Sequence, residues 1–68
     1  MNADKLKGKI KEHAMTQDMV AKKIGLSLSR FNAKLNGTDG AEFSLGEAQS
    51  LKWLFELTSE QVDEIFFT

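Results

Sequence analysis

The sequence predicts an all-helical domain of five short helices, and three observations carry that prediction. Small polar residues that start helices recur in one setting, with an apolar residue just before and another four positions after. Apolar residues between these starts recur three and four positions apart, the spacing of one helical face. Glycines fall where two of the predicted helices must stop.

Asn2 caps a first helix, with Met1 and Leu6 as the apolar pair across the cap. Thr16 caps a second between Met15 and Val20, and Ser27 a third between Leu26 and Phe31. Ser44 caps a fourth between Phe43 and Ala48, and Glu47 completes a reciprocal capping box. Thr58 caps a fifth between Leu57 and Val62, with Gln61 in the same role as Glu47. Core faces follow: Leu6 and Ile10; Val20 and Ile24; Phe31 and Leu35; Leu51 and Phe55; Val62 with Ile65 and Phe66. Gly25 and Gly37 supply left-handed stops after helices 2 and 3. Asn36-Gly37-Thr38-Asp39-Gly40 has no alternating strand beside it, so it reads as a turn-rich loop between helices.

Sixty-eight residues make one domain, 1–68, with little apolar material to spare for a deep pocket. There is no cysteine, which removes disulfides and thiolate metal sites and fits a reducing, cytoplasmic setting. No apolar run approaches the ~18 residues of a membrane span, and the first residues lack the apolar stretch of a signal peptide. No membrane partner is expected. Charge is unevenly shared. Residues 1–37 hold eight Lys/Arg and three Asp/Glu, net +5, and residues 38–68 hold one and seven, net −6. A basic half beside an acidic half suits either a polyanion partner for the first half or an uneven solvated surface.

Helices 2 and 3 are joined by Gly25-Leu26-Ser27, a connection tight enough for a helix-turn-helix. Ala21 is small where the helices touch, and Gly25 tolerates positive φ in the turn. Val20, Ile24, Leu26 and Phe31 pin both helices to the core, and Ser27 starts the second.

Thr16-Gln17, Val20-Ala21, Ile24-Gly25-Leu26-Ser27, Phe31 and Asn36-Gly37 resemble the Cro/C1 repressor-type helix-turn-helix family, also called xenobiotic-response-element-like. The tail from Leu57-Thr58-Ser59-Glu60-Gln61 to Asp63-Glu64-Ile65-Phe66-Phe67 is similar to small phage-encoded regulators of that family from Gram-positive hosts. The resemblance covers helices 2 and 3 most strongly. It implies a compact, lambda-repressor-like five-helix domain that regulates transcription by reading operator DNA in the major groove with helix 3. One position departs from the family pattern: Lys34 stands three after Phe31, where an apolar residue is usual, and Leu35 follows.

The resemblance implicates Leu28, Ser29, Arg30, Asn32 and Ala33 in base contacts. The Arg30 fork suits either guanine or a phosphate. Ser29 reads weakly or is simply a helix-start residue. Asn32 suits adenine or an exposed polar position, and Ala33 suits a thymine methyl or serves as a spacer. Leu28 either faces thymine methyls or joins Phe31 and Leu35 in the core. Gln17, in the first turn of helix 2, matches the family glutamine that grips a phosphate, or caps locally. Asn36 is a phosphate contact or a helix C-cap. Lys9, Lys11, Lys22, Lys23 and Lys34 are candidates for phosphate attraction that positions without reading sequence.

His13 has no cysteine or carboxylate cluster beside it, so it reads as a residue near the end of helix 1 rather than a metal ligand. Ser27, Ser29 and Ser44 are helix-start serines without a base-and-carboxylate pair, and the glycines match no phosphate loop. No enzyme activity and no cofactor are expected. Glu60, Asp63 and Glu64 read as a solvated face, and Met15, Met19 and Trp53 as core or near-core residues. Phe66 and Phe67 cannot both face one core stripe, so one is expected outside, where an exposed aromatic suits a homodimer through the C-terminal half. A rival use of the same fold is an antirepressor that docks on a partner repressor, which the acidic half and low net charge would suit.

Overall fold

The computed structural model describes residues 1–67, which form five α-helices and no strand. They are α1 (Ala3–Glu12), α2 (Gln17–Lys23), α3 (Leu28–Asn36), α4 (Leu45–Leu54) and α5 (Ser59–Phe66), with a single 3₁₀ turn at Thr38–Gly40. All five caps lie at the expected residues. Asn2, Thr16, Ser27, Ser44 and Thr58 each accept a hydrogen bond from the backbone N–H three positions on. Ser44 with Glu47, and Thr58 with Gln61, close reciprocal capping boxes.

Helix ends are as regular as the starts. After α1, α2 and α4 the chain takes one left-handed residue, then a core residue, then the next cap. Ala14, Gly25 and Glu56 hold the left-handed position, with φ of 53°, 79° and 52°. The next N–H reaches back to close the helix: Met15 to the Ile10 carbonyl, Leu26 to Ala21 and Leu57 to Lys52. One four-residue turn is thus used three times, and only α2–α3 has glycine at its strained position. His13 caps α1, with Nδ1 2.9 Å from the Lys9 carbonyl and its ring 5.0 Å from that of Phe55.

The helices close over one core built on Leu6, Ile10, Val20, Phe31, Leu35, Leu51, Phe55 and Ile65. Ala21 is fully buried on α2, which packs on α3. Asn2 N–H donates to the Ile65 carbonyl at 2.6 Å, tying the start of α1 to α5. Phe43 leads into α4 and stacks at an angle on Phe31, 5.5 Å away.

Two of the expected core residues lie outside. Trp53 is 79% exposed, and Met19 is exposed too, while Met15 packs partly against the core. The helical period explains the Trp53 error. Ala48, Leu51 and Phe55 already form the inward face of α4, and position 53 is turned well over 100° from that face. Phe66 packs on the core and Phe67 is outside, as the adjacent aromatics required.

Candidate nucleic-acid interface on α3

Phe31 and Leu35 anchor α3 by its inner face. The helical period then places Ser29, Asn32, Ala33 and Asn36 together on the opposite side, at i, i+3, i+4 and i+7. Ser29 and Asn36 are exposed, and Asn32 and Ala33 are half-buried. Leu28 and Arg30 flank this face. Leu28 is 40% exposed, so it is not a member of the sealed core. The C-cap of α3 is Gly37, in the left-handed region, and Asn36 is the last helical residue.

Electrostatics separate α3 from its neighbours. It is the one helix among the described residues that carries no Asp or Glu. The backbone N–H groups of its first turn add partial positive charge at the end where Arg30 sits. Among the described residues no carboxylate lies within ion-pair distance of Arg30, Lys7, Lys11, Lys23 or Lys52. α5, started by the same kind of turn, presents Glu60, Asp63 and Glu64.

The lysines expected at phosphate differ in how freely they can act. Lys22 pairs with Asp18 at 3.3 Å and Lys9 with Glu12 at 3.2 Å, each along its own helix. Exposed pairs of this kind are worth little and exchange easily. Lys34 is different. Its Nζ donates to both carboxylate oxygens of Glu47, at 2.6 and 2.9 Å, and the two side chains are only 15% and 17% exposed. Lys34 therefore fills an inward position beside Leu35 and points to α4, away from the Ser29–Asn36 face. Its departure from the apolar pattern is accommodated by a partly buried carboxylate partner. Gln17 is half-buried in the first turn of α2.

Glu47 is the residue that sequence reasoning valued only in part, as a cap. The same carboxylate accepts from Ser44 N–H at 2.9 Å and from Lys34, so it starts α4 and fastens α3 to it. Burial pushes its carboxyl up, but the Lys34 hydrogen bond, the Ser44 N–H and the Lys34 charge outweigh burial and hold it below the ordinary carboxylate value. The available signal was a lysine in an apolar register, which demands a buried anion nearby.

No protein-family model, curated protein or solved structure matches the chain. The class defined by the fold and this surface is a small all-helical domain with an acid-free, solvent-facing third helix.

Proposed function

We propose that this domain is a sequence-specific DNA-binding regulator in which α2, its turn and α3 act as a lambda-repressor-like helix-turn-helix. The observation that carries the reading is the outer surface of α3: exposed at Ser29 and Asn36, half-buried at Asn32 and Ala33, free of carboxylates, and flanked by an arginine that makes no ion pair among the described residues. Such a helix suits the major groove, where Ser29, Asn32 and Ala33 meet base edges and Arg30 reaches guanine or a phosphate at the rim. Leu28 offers apolar contact to a thymine methyl. Gln17 at the start of α2, Asn36, and the exchangeable Lys9 and Lys22 serve the phosphates. Lys34 is left out of that set because Glu47 holds it.

The test is titration of the purified protein onto labelled fragments of its own genomic neighbourhood at two salt concentrations, followed by footprinting. A protected site is expected, with Arg30→Ala weakening it by about 1–3 kcal/mol if the contact is to guanine and relaxing preference at one base pair. Lys22→Ala should weaken all sequences alike and flatten the salt slope. No preference for any duplex over random competitor would refute direct DNA recognition. Capture of a partner repressor, lost on Arg30→Ala, would support the antirepressor reading in its place.

A further inference from the structure

Asn36 and Gly37 stand at the open end of α3. Every residue from Asn36 to Gly40 is exposed, and Leu35 is the last buried side chain of the helix. The Asn36 side-chain amide has no hydrogen-bond partner among the described residues. A single bond holds the Gly37 nitrogen, whose N–H donates to the Ala33 carbonyl. A Cβ at Gly37 would meet nothing within 4 Å, so the space around this bond is open. The other two asparagines are held differently. The Asn2 side chain accepts from Lys5 N–H at 3.2 Å, and its own N–H reaches the Ile65 carbonyl. Asn32 is half-buried in mid-helix, and both residues are followed by alanine rather than glycine.

We propose that Asn36 is a site of spontaneous deamidation, gated by fraying of the last turn of α3, which turns its amide into a carboxylate on the outer α3 surface. The helical backbone of Asn36 holds the Gly37 nitrogen away from the side-chain carbon, so the turn must first open. A terminal turn with few buried contacts opens at small cost in free energy. Glycine, lacking Cβ, then obstructs ring closure least. The Gly37 nitrogen gives up its proton to hydroxide and attacks Asn36 Cγ. A C–N bond forms, the Cγ–Nδ2 bond breaks, and ammonia leaves. Water next opens the five-membered imide. Opening at Cγ leaves aspartate, and opening at the backbone carbonyl leaves isoaspartate, with the main chain rerouted through the side chain. Either product adds a negative charge. Asp39-Gly40 offers the same ring closure, but a carboxylate is a poorer electrophile than an amide, and isomerisation there leaves the mass unchanged. On α3, which carries no Asp or Glu, the new charge sits at the C-terminal end, where the helix dipole opposes it. It would also repel a phosphate backbone, which makes the lifetime of the amide the lifetime of the binding surface. That last consequence rests on the DNA reading of α3; the modification itself does not.

The full chain is incubated at mildly alkaline pH, folded and in urea, and all three asparagines are followed in the same digests by mass spectrometry. The folded protein should gain one mass unit and isoaspartate at Asn36, within about a hundredfold of the rate in urea and faster as pH rises. Asn2 and Asn32 should stay intact in the folded chain. Asn36→Gln should resist, because its ring would have six members. Gly37→Ala should slow the reaction about tenfold or more in urea, where folding plays no part. The proposal is overturned if folded Asn36 keeps its amide while the urea sample converts, or if Asn32 converts as fast as Asn36. For the surface, Asn36→Asp should weaken DNA binding by about tenfold, read by anisotropy. Full binding by Asn36→Asp would take Asn36 out of the interface and sink the claimed consequence. A parent chain that binds no DNA would sink the α3 reading instead, and the mass result would stand.

Discussion

Removing the Glu47 carboxylate gives the sharpest test of how α3 is held. In Glu47→Ala the Lys34 ammonium keeps its inward position, about one-sixth exposed, and loses both acceptors at 2.6 and 2.9 Å. Stranding a fully buried charge costs about 3–5 kcal/mol, and partial solvent access brings this to about 2. Loss of the reciprocal half of the capping box adds about 0.5–1 kcal/mol. The expected loss of about 2–3 kcal/mol corresponds to about 10–20 °C in Tm for a domain of this size. Lys34→Met, which removes the charge but keeps the length, should lie within about 1 kcal/mol of the parent. Urea unfolding of both variants and of the double variant gives the coupling, expected above about 1 kcal/mol. Equal losses in the two single variants, or coupling below about 0.5 kcal/mol, would refute the claim that the pair is partly buried and cooperative. The pH dependence follows in sign. The native carboxyl titrates below its ordinary value near 4.3, so the unfolded chain takes the proton first. The stabilisation is complete above about pH 4.3 and is lost as pH falls through the native value, and this acid-limb loss should shrink in Lys34→Met.

Other outcomes can be stated briefly. Lys34→Met should leave DNA affinity and its salt slope unchanged, checked by fluorescence anisotropy, whereas a lysine at phosphate would lower both. Gly25→Ala meets no atom within 4 Å, so its cost is backbone strain alone, about 1–2 kcal/mol by thermal unfolding. Ala14→Gly and Glu56→Gly relieve the same strain in the sister turns and should each stabilise by about 0.5–1 kcal/mol.

The helix starts were legible because each depends on one polar atom at a fixed spacing from local N–H groups. Asn2, Thr16, Ser27, Ser44 and Thr58 needed no tertiary information. The core faces were legible by period. Trp53 was misread because its hydrophobicity was weighed without its phase, although Ala48, Leu51 and Phe55 already fixed the inward side of α4. The Lys34–Glu47 pair was hidden by a separation of thirteen residues, across which no local rule applies. The left-handed Ala14 and Glu56 were hidden because a residue other than glycine gives no sign that the backbone must turn there. On α3, the facing of Ser29 and Asn36 followed from Phe31 and Leu35, while the edge position of Leu28 depended on how α3 packs.

The same turn closes three helix pairs, so turn geometry alone does not single out α2–α3. If tight connection alone marked a DNA-reading pair, α1–α2 and α4–α5 would qualify equally with α2–α3, because the same hydrogen bonds close all three. A turn of this kind is a solution to chain economy: it ends one helix, buries one side chain and caps the next within four residues. What distinguishes the helix after Gly25 is its chemistry. α2 opens on Gln17 and Asp18, α5 on Ser59 and Glu60, and α3 on Leu28, Ser29 and Arg30. Only the last lacks a carboxylate to repel a phosphate backbone. Charge substitution should therefore matter more than turn geometry: Ser29→Glu leaves the turn and core untouched, yet places an anion on the outer face beside Arg30. It should abolish DNA binding while shifting stability by no more than about 0.5 kcal/mol, read by anisotropy and urea unfolding on the same preparation. Undiminished binding by that variant would remove α3 from the interface.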